Sequence, residues 1–238
     1  MDIAFLTESF LKLLSGLPLT LELTFFAFVI GALLALLLAL MRDAPLWPLR
    51  AFVRTFVFVM RGTPLLVQIF LIYYGLGQFR PFLQDLGLWS VFREPYWCAI
   101  MALALNSATY GSEILRGALG SVPPNEIEAA RACGMSGVLL YRRIVLPIAL
   151  RQALPSYGNE LILMVKATSL ASIITMMDVT GVAARLIAES YRPVEVFIAA
   201  GVIYLAINLT LSRAIAVVDW WLSPHLRRAT PKQAVPHG

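Results

Sequence analysis

The chain has 238 residues, of which 59% are hydrophobic and only 14% charged, with a net charge of +5. A soluble domain carries roughly 25% charged residues, so this chain has too little polar surface to cover a water-facing core. The positive balance does not indicate nucleic acid either, because lysine and arginine lie between apolar runs rather than in one patch.

The N-terminus has Asp2 and Glu8 before its first cation, Lys12. A cleaved signal peptide wants a positive start and a short apolar core, so this start reads as retained. Crossing a bilayer takes about 20 mostly apolar residues. Five segments meet that length, at about 17–41, 57–79, 95–115, 152–174 and 196–218. The fourth is interrupted by Glu160 and Lys166. The fold class is therefore all-α, polytopic, with residues 1–238 forming a single transmembrane domain.

Cations in the connections set orientation. Arg42, Arg50, Arg54 and Arg61 flank the second span, Arg116, Arg131, Arg142, Arg143 and Arg151 follow the third, and Arg227, Arg228 and Lys232 lie in the tail. These outnumber Lys12, Arg80, Arg93, Arg185 and Arg192 on the other side. The N-terminus is expected outside (periplasmic) and the C-terminus in the cytoplasm. The 175–195 connection has Val179, Val182, Ala183 and Leu186 at helical spacing, which predicts a short helix against the outer face. On the fifth span, Tyr204 and Asn208 offer polar groups to a cavity, and Trp220–Trp221 reads as an aromatic belt. The tail, 227–238, has the composition of a flexible end.

The long cytoplasmic connection, 121–147, includes EIEAARACGMSGVLLYRRIVLP. Asn125 with Glu128 three residues on resembles a capping box, and Glu126 suits the first turn. Ala129, Ala130 and Ala132 add little bulk, Gly134 suits a left-handed helix end, and Pro147 marks a break or kink. The physics alone leaves open a plain interfacial hairpin or a docking helix.

The spacing Glu128-Ala129-Ala130, Gly134, then Ile144 to Leu146-Pro147 resembles the EAA loop of ABC importer permeases. The stretches RGTPLLVQ (61–68), NSATYGSEILRG (106–117), GNE (158–160) and KATSL (166–170) resemble those of the polar amino-acid branch. The pattern is most similar to M-type permease subunits for histidine, arginine, lysine and arginine-derived opines. This resemblance implies that Glu128, Ala129, Ala130 and Gly134 dock an ABC ATPase dimer. It also implies a second permease chain in a heterodimer and a periplasmic solute-binding protein. ATP and magnesium would sit in the ATPase, with no cofactor, metal or catalytic residue in this chain. Arg61, Thr63, Gln68, Tyr110, Glu113, Arg116 and Glu160 fall in the same motifs as gate or structural residues.

Asn106, Lys166, Thr168 and Ser169 form the candidate substrate path, since a carboxylate leaving water needs a cation or several donors. Equally, Thr168 and Ser169 can bond back to their own helix. Ala167 stands where many relatives carry an acid. A permease for glutamine or glutamate is a second reading. A stand-alone secondary carrier lacks support from any internal repeat, and a polytopic enzyme lacks clustered acids or histidines, since His225 and His237 lie in the tail.

Overall fold

The computed structural model describes residues 3–42 and 44–222, and the tail expectation for 227–238 lies outside them. Helix α1 (Ile3–Leu13) leads through one tight turn into α2 (Leu17–Arg42). Then follow α3 (Trp47–Gly62), α4 (Leu65–Gln78), the short α5 (Arg80–Asp85) and α6 (Trp89–Phe92), and α7 (Pro95–Gly120). The α8 (Pro124–Ala132) and α9 (Gly137–Leu140) hairpin precedes α10 (Leu146–Ala167), α11 (Val179–Ser190) and α12 (Pro193–Leu222).

Among the described residues, Ile3–Arg42 and Pro193–Leu222 are each long and apolar enough to cross a bilayer, and two bent helix pairs raise that number to four. Helix α7 has 26 residues, about 39 Å at 1.5 Å per residue. It is the inner helix, with Ala99, Ala102, Leu103, Ala104, Ala108 and Gly111 buried. Its neighbours are α2, α10 and α4. A helix surrounded by protein needs no lipid-facing stripe, so α7 carries Asn106, Ser107 and Tyr110 at membrane depth. Between helices in lipid, attraction comes from close packing of small residues rather than from exclusion of water. A Cβ placed on Gly111 would lie 2.9 Å from Ala35 Cβ on α2 and 2.8 Å from the Tyr157 hydroxyl on α10.

The second expected span, 57–79, is not one helix. Helices α3 and α4 meet at 108°, with Thr63 extended between them. Pro64 is the cause: its ring pushes the preceding residue out of the helical region. Two side chains take the carbonyls left free there: Gln68 Nε2 donates to Met60 O (2.6 Å) and Thr63 O (3.1 Å), and Thr63 Oγ1 donates to Val59 O (2.9 Å). Helix α1 was not anticipated; it packs on α11 and α12 through Leu13 and Phe5.

Pro147 makes no break. The chain runs from Gly137 through a π turn at Tyr141–Val145 into α10, which also contains Pro155. The wider turn leaves room for a residue without an N–H. The helix then tightens over Thr168–Ile174 and ends at Thr175 in the left-handed region, φ 69°. Asp178, fully buried, caps α11 by accepting from Gly181 N (3.0 Å) and Thr180 N (3.2 Å). Burial pushes its carboxyl above the ordinary range, against hydrogen bonds from those two amides and from Tyr204. Tyr204, the aromatic side chain offered on the fifth span, donates to Asp178 Oδ2 at 3.1 Å.

Gly111→Val should force α2 and α10 apart at the bundle's centre. Overpacking of this kind costs about 1–3 kcal/mol. The expected outcome is a lower thermal midpoint in detergent-solubilised protein, measured by fluorescence-detected size exclusion, whereas Gly117→Val, where nothing lies within 4 Å, leaves it unchanged.

Candidate functional site

A cavity of about 490 Å³ opens between α4, α7 and α10. Its walls include Leu65, Leu103, Asn106, Tyr110, Glu160, Lys166, Ala167 and Ser169. Three of the four substrate-path residues, Asn106, Lys166 and Ser169, thus share one space. Thr168 does not: it is fully buried and its hydroxyl donates to Val165 O at 2.8 Å. Ser169 Oγ lines the cavity yet donates to Lys166 O at 2.6 Å, so its hydroxyl hydrogen is committed to its own helix. Asn106 is oriented by its amide, with Nδ2 donating to Gln68 Oε1 at 3.0 Å. The Gln68 that closes the α3–α4 break therefore also positions a cavity side chain.

Glu160 was placed among gate or structural residues, and the structure puts it in the cavity wall. It is buried, with Ser107 as its hydrogen-bonding neighbour. Lys166 is on the same helix and exposed to the space, with no carboxylate within ion-pair distance among the described residues. Six residues at 1.5 Å each set the two backbone positions about 9 Å apart along the axis. Spacing on a single helix did not signal this role, because six residues are roughly 60° from alignment and only the cavity's curvature reaches both.

A second depression, about 570 Å³, shares Tyr110, Glu160 and Leu163 with the first and adds Arg61, Glu113 and Asn159. At its end Glu113 accepts from Arg116 Nη2 (2.7 Å) and is paired with Arg42 from α2. Arg61 stacks over the Tyr110 ring, 5.1 Å from its centroid. Tyr110 therefore stands between the cavity and a cluster of charges. Arg42 was missed in the sequence, where it read only as an orientation charge at a helix end.

The α8 hairpin shows how local rules and packing differ. Helix α8 begins one residue before Asn125, with Pro123 as the extended cap and Pro124 in the first turn. Proline pre-set for helical φ displaces the expected asparagine cap. The end follows the glycine rule: Gly134 has φ 81°, its N–H donates to Arg131 O (2.9 Å) and Met135 N to Ala130 O (3.0 Å). Glu128, Ala129 and Ala132 face outward. Ala130 does not, contrary to its placement in a docking surface; it is 5% exposed and packed with Val122, Leu140 and Val145. The helical turn that exposes Glu128 and Ala129 carries Ala130, with Ile127, onto the inner face.

The profile of the family described as "Binding-protein-dependent transport system inner membrane component" matches residues 27–223. The octopine transport system permease protein OccM of Rhizobium meliloti is 56% identical over 227 residues, 95% of this chain and 92% of that protein. The nopaline transport system permease protein NocM of Agrobacterium fabrum is 53% identical over 241 residues, covering 100% of both. The arginine ABC transporter permease protein ArtM of Haemophilus influenzae is 40% identical over 196 residues, 82% of this chain and 86% of that one. Among solved structures, a chain of an amino acid ABC transporter crystallised with histidines superposes with a TM-score of 0.82 at 35% identity, over 92% of this chain and 98% of that chain. A chain of the methionine transporter MetNI has a TM-score of 0.68 at 21% identity, over 89% and 96%, and shares the fold.

Glu113→Gln should leave Arg42 and Arg116 without their anion. Hydrogen bonds to charged groups contribute about 1.5–3 kcal/mol, so the expected loss is at the lower end, because Arg116 is half-exposed. A thermal shift of the purified protein, with Arg93→Gln as the surface control, measures it.

Proposed function

The chain belongs to the binding-protein-dependent transport system inner membrane component family, and on that premise we propose that it carries a basic amino acid or an arginine-derived opine through the cavity between α4, α7 and α10. It is a multi-pass permease subunit of an ABC importer, and ATP is hydrolysed by a separate chain. The observation that carries the ligand reading is the pair of opposite charges in one cavity. Lys166 receives the ligand's carboxylate, Asn106 adds a polar side chain beside it, and Glu160 receives the cationic end. Charge-assisted pairs between carboxylate and guanidinium are strong and directional. Glu160 thereby supplies the acid that Ala167 lacks. The names of OccM, NocM and ArtM support the same ligand class.

In this reading, ATP and magnesium sit in an ATPase dimer that docks on the outward face of α8, with Glu128 and Ala129 at the contact and Gly134 setting the turn. A second permease chain completes a heterodimer, and a periplasmic binding protein delivers the ligand. The N-terminus is periplasmic and the C-terminus cytoplasmic, as the arginines around α3 and α8 favour.

Two experiments follow. In proteoliposomes holding the full transporter, Glu160→Gln should lower uptake of arginine or octopine about ten- to a hundred-fold, the scale of a lost charged hydrogen bond. Glutamine uptake that falls equally would contradict a role in recognising the cation. Lys166→Met should impair all amino-acid ligands alike. For coupling, Ala129→Arg should abolish ATP-driven uptake in a chain that still folds, while Ala130→Arg should lower expression and thermal stability, because only Ala130 is buried. Normal ATP-driven uptake by Ala129→Arg would remove α8 from the docking surface.

A further inference from the structure

A third cavity, about 680 Å³, lies at the end of the bundle that bears α8, between α3 and the ends of α2 and α7. Its charged groups are Arg42, Arg54 and Arg61 against Glu113. Glu113 is already held by Arg42 and Arg116, and Arg61 is stacked on Tyr110. Arg54 remains, and among the described residues neither it nor Arg50 has a carboxylate within ion-pair distance.

Helix α3 arranges its surroundings in three stripes. At 100° per residue Arg50, Arg54 and Arg61 fall within about 40° of one another. On one side Val53 and Val57 are buried against the bundle. On the other, Trp47 and Phe58 are 70% and 78% exposed. Because α3 is turned by 108° from α4, its axis does not run along that helix. A helix with bundle, cation and aromatic stripes, set at a membrane boundary, has the pattern of an element that lies in the interface.

We propose that this cavity and the arginine stripe hold the phosphate of an anionic glycerophospholipid, with its acyl chains along Trp47 and Phe58. The lipid is favoured over a free anion or an acidic protein surface by the aromatic stripe directly beside the cations, which suits a ligand charged at one end and apolar at the other. A basic side chain at an anionic membrane surface strengthens binding about fivefold. The cavity shares Arg61, Tyr110 and Glu113 with the depression beside the transport cavity, so the test reads lipid binding directly and not uptake.

The test uses the full chain, delipidated in neutral detergent, with native mass spectrometry reading bound lipid. Dioleoyl phosphatidylglycerol should bind at least fivefold more tightly than dioleoyl phosphatidylcholine, and added salt should erode that advantage. Arg54→Gln and Arg50→Gln should each reduce the advantage about fivefold, and Arg54→Lys should restore most of it, which separates charge from folding. Glycerol phosphate should fail to displace phosphatidylglycerol at equal concentration. Equal binding of the two lipids, a full phosphatidylglycerol preference in Arg54→Gln, or displacement by glycerol phosphate would each overturn the proposal.

Discussion

The close approach of α2 and α7 is the constraint on which the remaining structure depends. Gly31, Ala35, Ala104, Ser107 and Gly111 let the two backbones meet with almost no side chain between them. In lipid there is no gain from removing apolar surface from water, so such contact is what makes helices adhere. Its consequence reaches beyond stability. By enclosing α7 in protein, it makes a place at membrane depth for Asn106 and Tyr110, neither of which could face hydrocarbon cheaply.

The break before Pro64 is tied to that enclosed helix. Irregular backbone within a membrane survives only where its polar groups are satisfied by protein or by a cavity. Gln68 does this with one end of its amide and holds Asn106 with the other. A local defect in α3–α4 and the orientation of a cavity side chain are thus a single hydrogen-bonded arrangement. The bend also carries α3 across the ends of α2 and α7, which is why Arg61 reaches Tyr110.

What was legible in the sequence follows the range of each rule. Apolar runs and the family motifs located the helices of the bundle, because both are written in contiguous residues. Gly134 was legible because a left-handed position is a property of the backbone at one site. The bend at Thr63 was available in the Thr63-Pro64 pair, but a long uncharged run from 62 to 79 hid it. The inward placement of Ala130 and the cavity position of Glu160 were illegible for a shared reason. Which face of a helix is inward depends on neighbours far away in the chain, and neither alanine-rich nor apolar surroundings leave a clear periodic signal. Thr168 shows the reverse, a polar residue whose type suggested a ligand and whose hydroxyl is spent on Val165.

The two charges of the cavity divide its chemistry unequally. Lys166 sits on an exposed turn of α10 just before the helix tightens over Thr168–Ile174, so its flexible stem can follow a carboxylate. Glu160 is buried and held beside Ser107, one turn of α7 above Gly111, where the packing is closest. A buried carboxylate without a cation is costly, and Lys166 is too far along the helix to neutralise it as a direct pair. Under the proposed function, a ligand that brings its own guanidinium or ammonium offsets that cost. A ligand with a neutral side chain does not. Under the proposed function, discrimination between basic and neutral amino acids rests on Glu160, the carboxylate in that cavity wall.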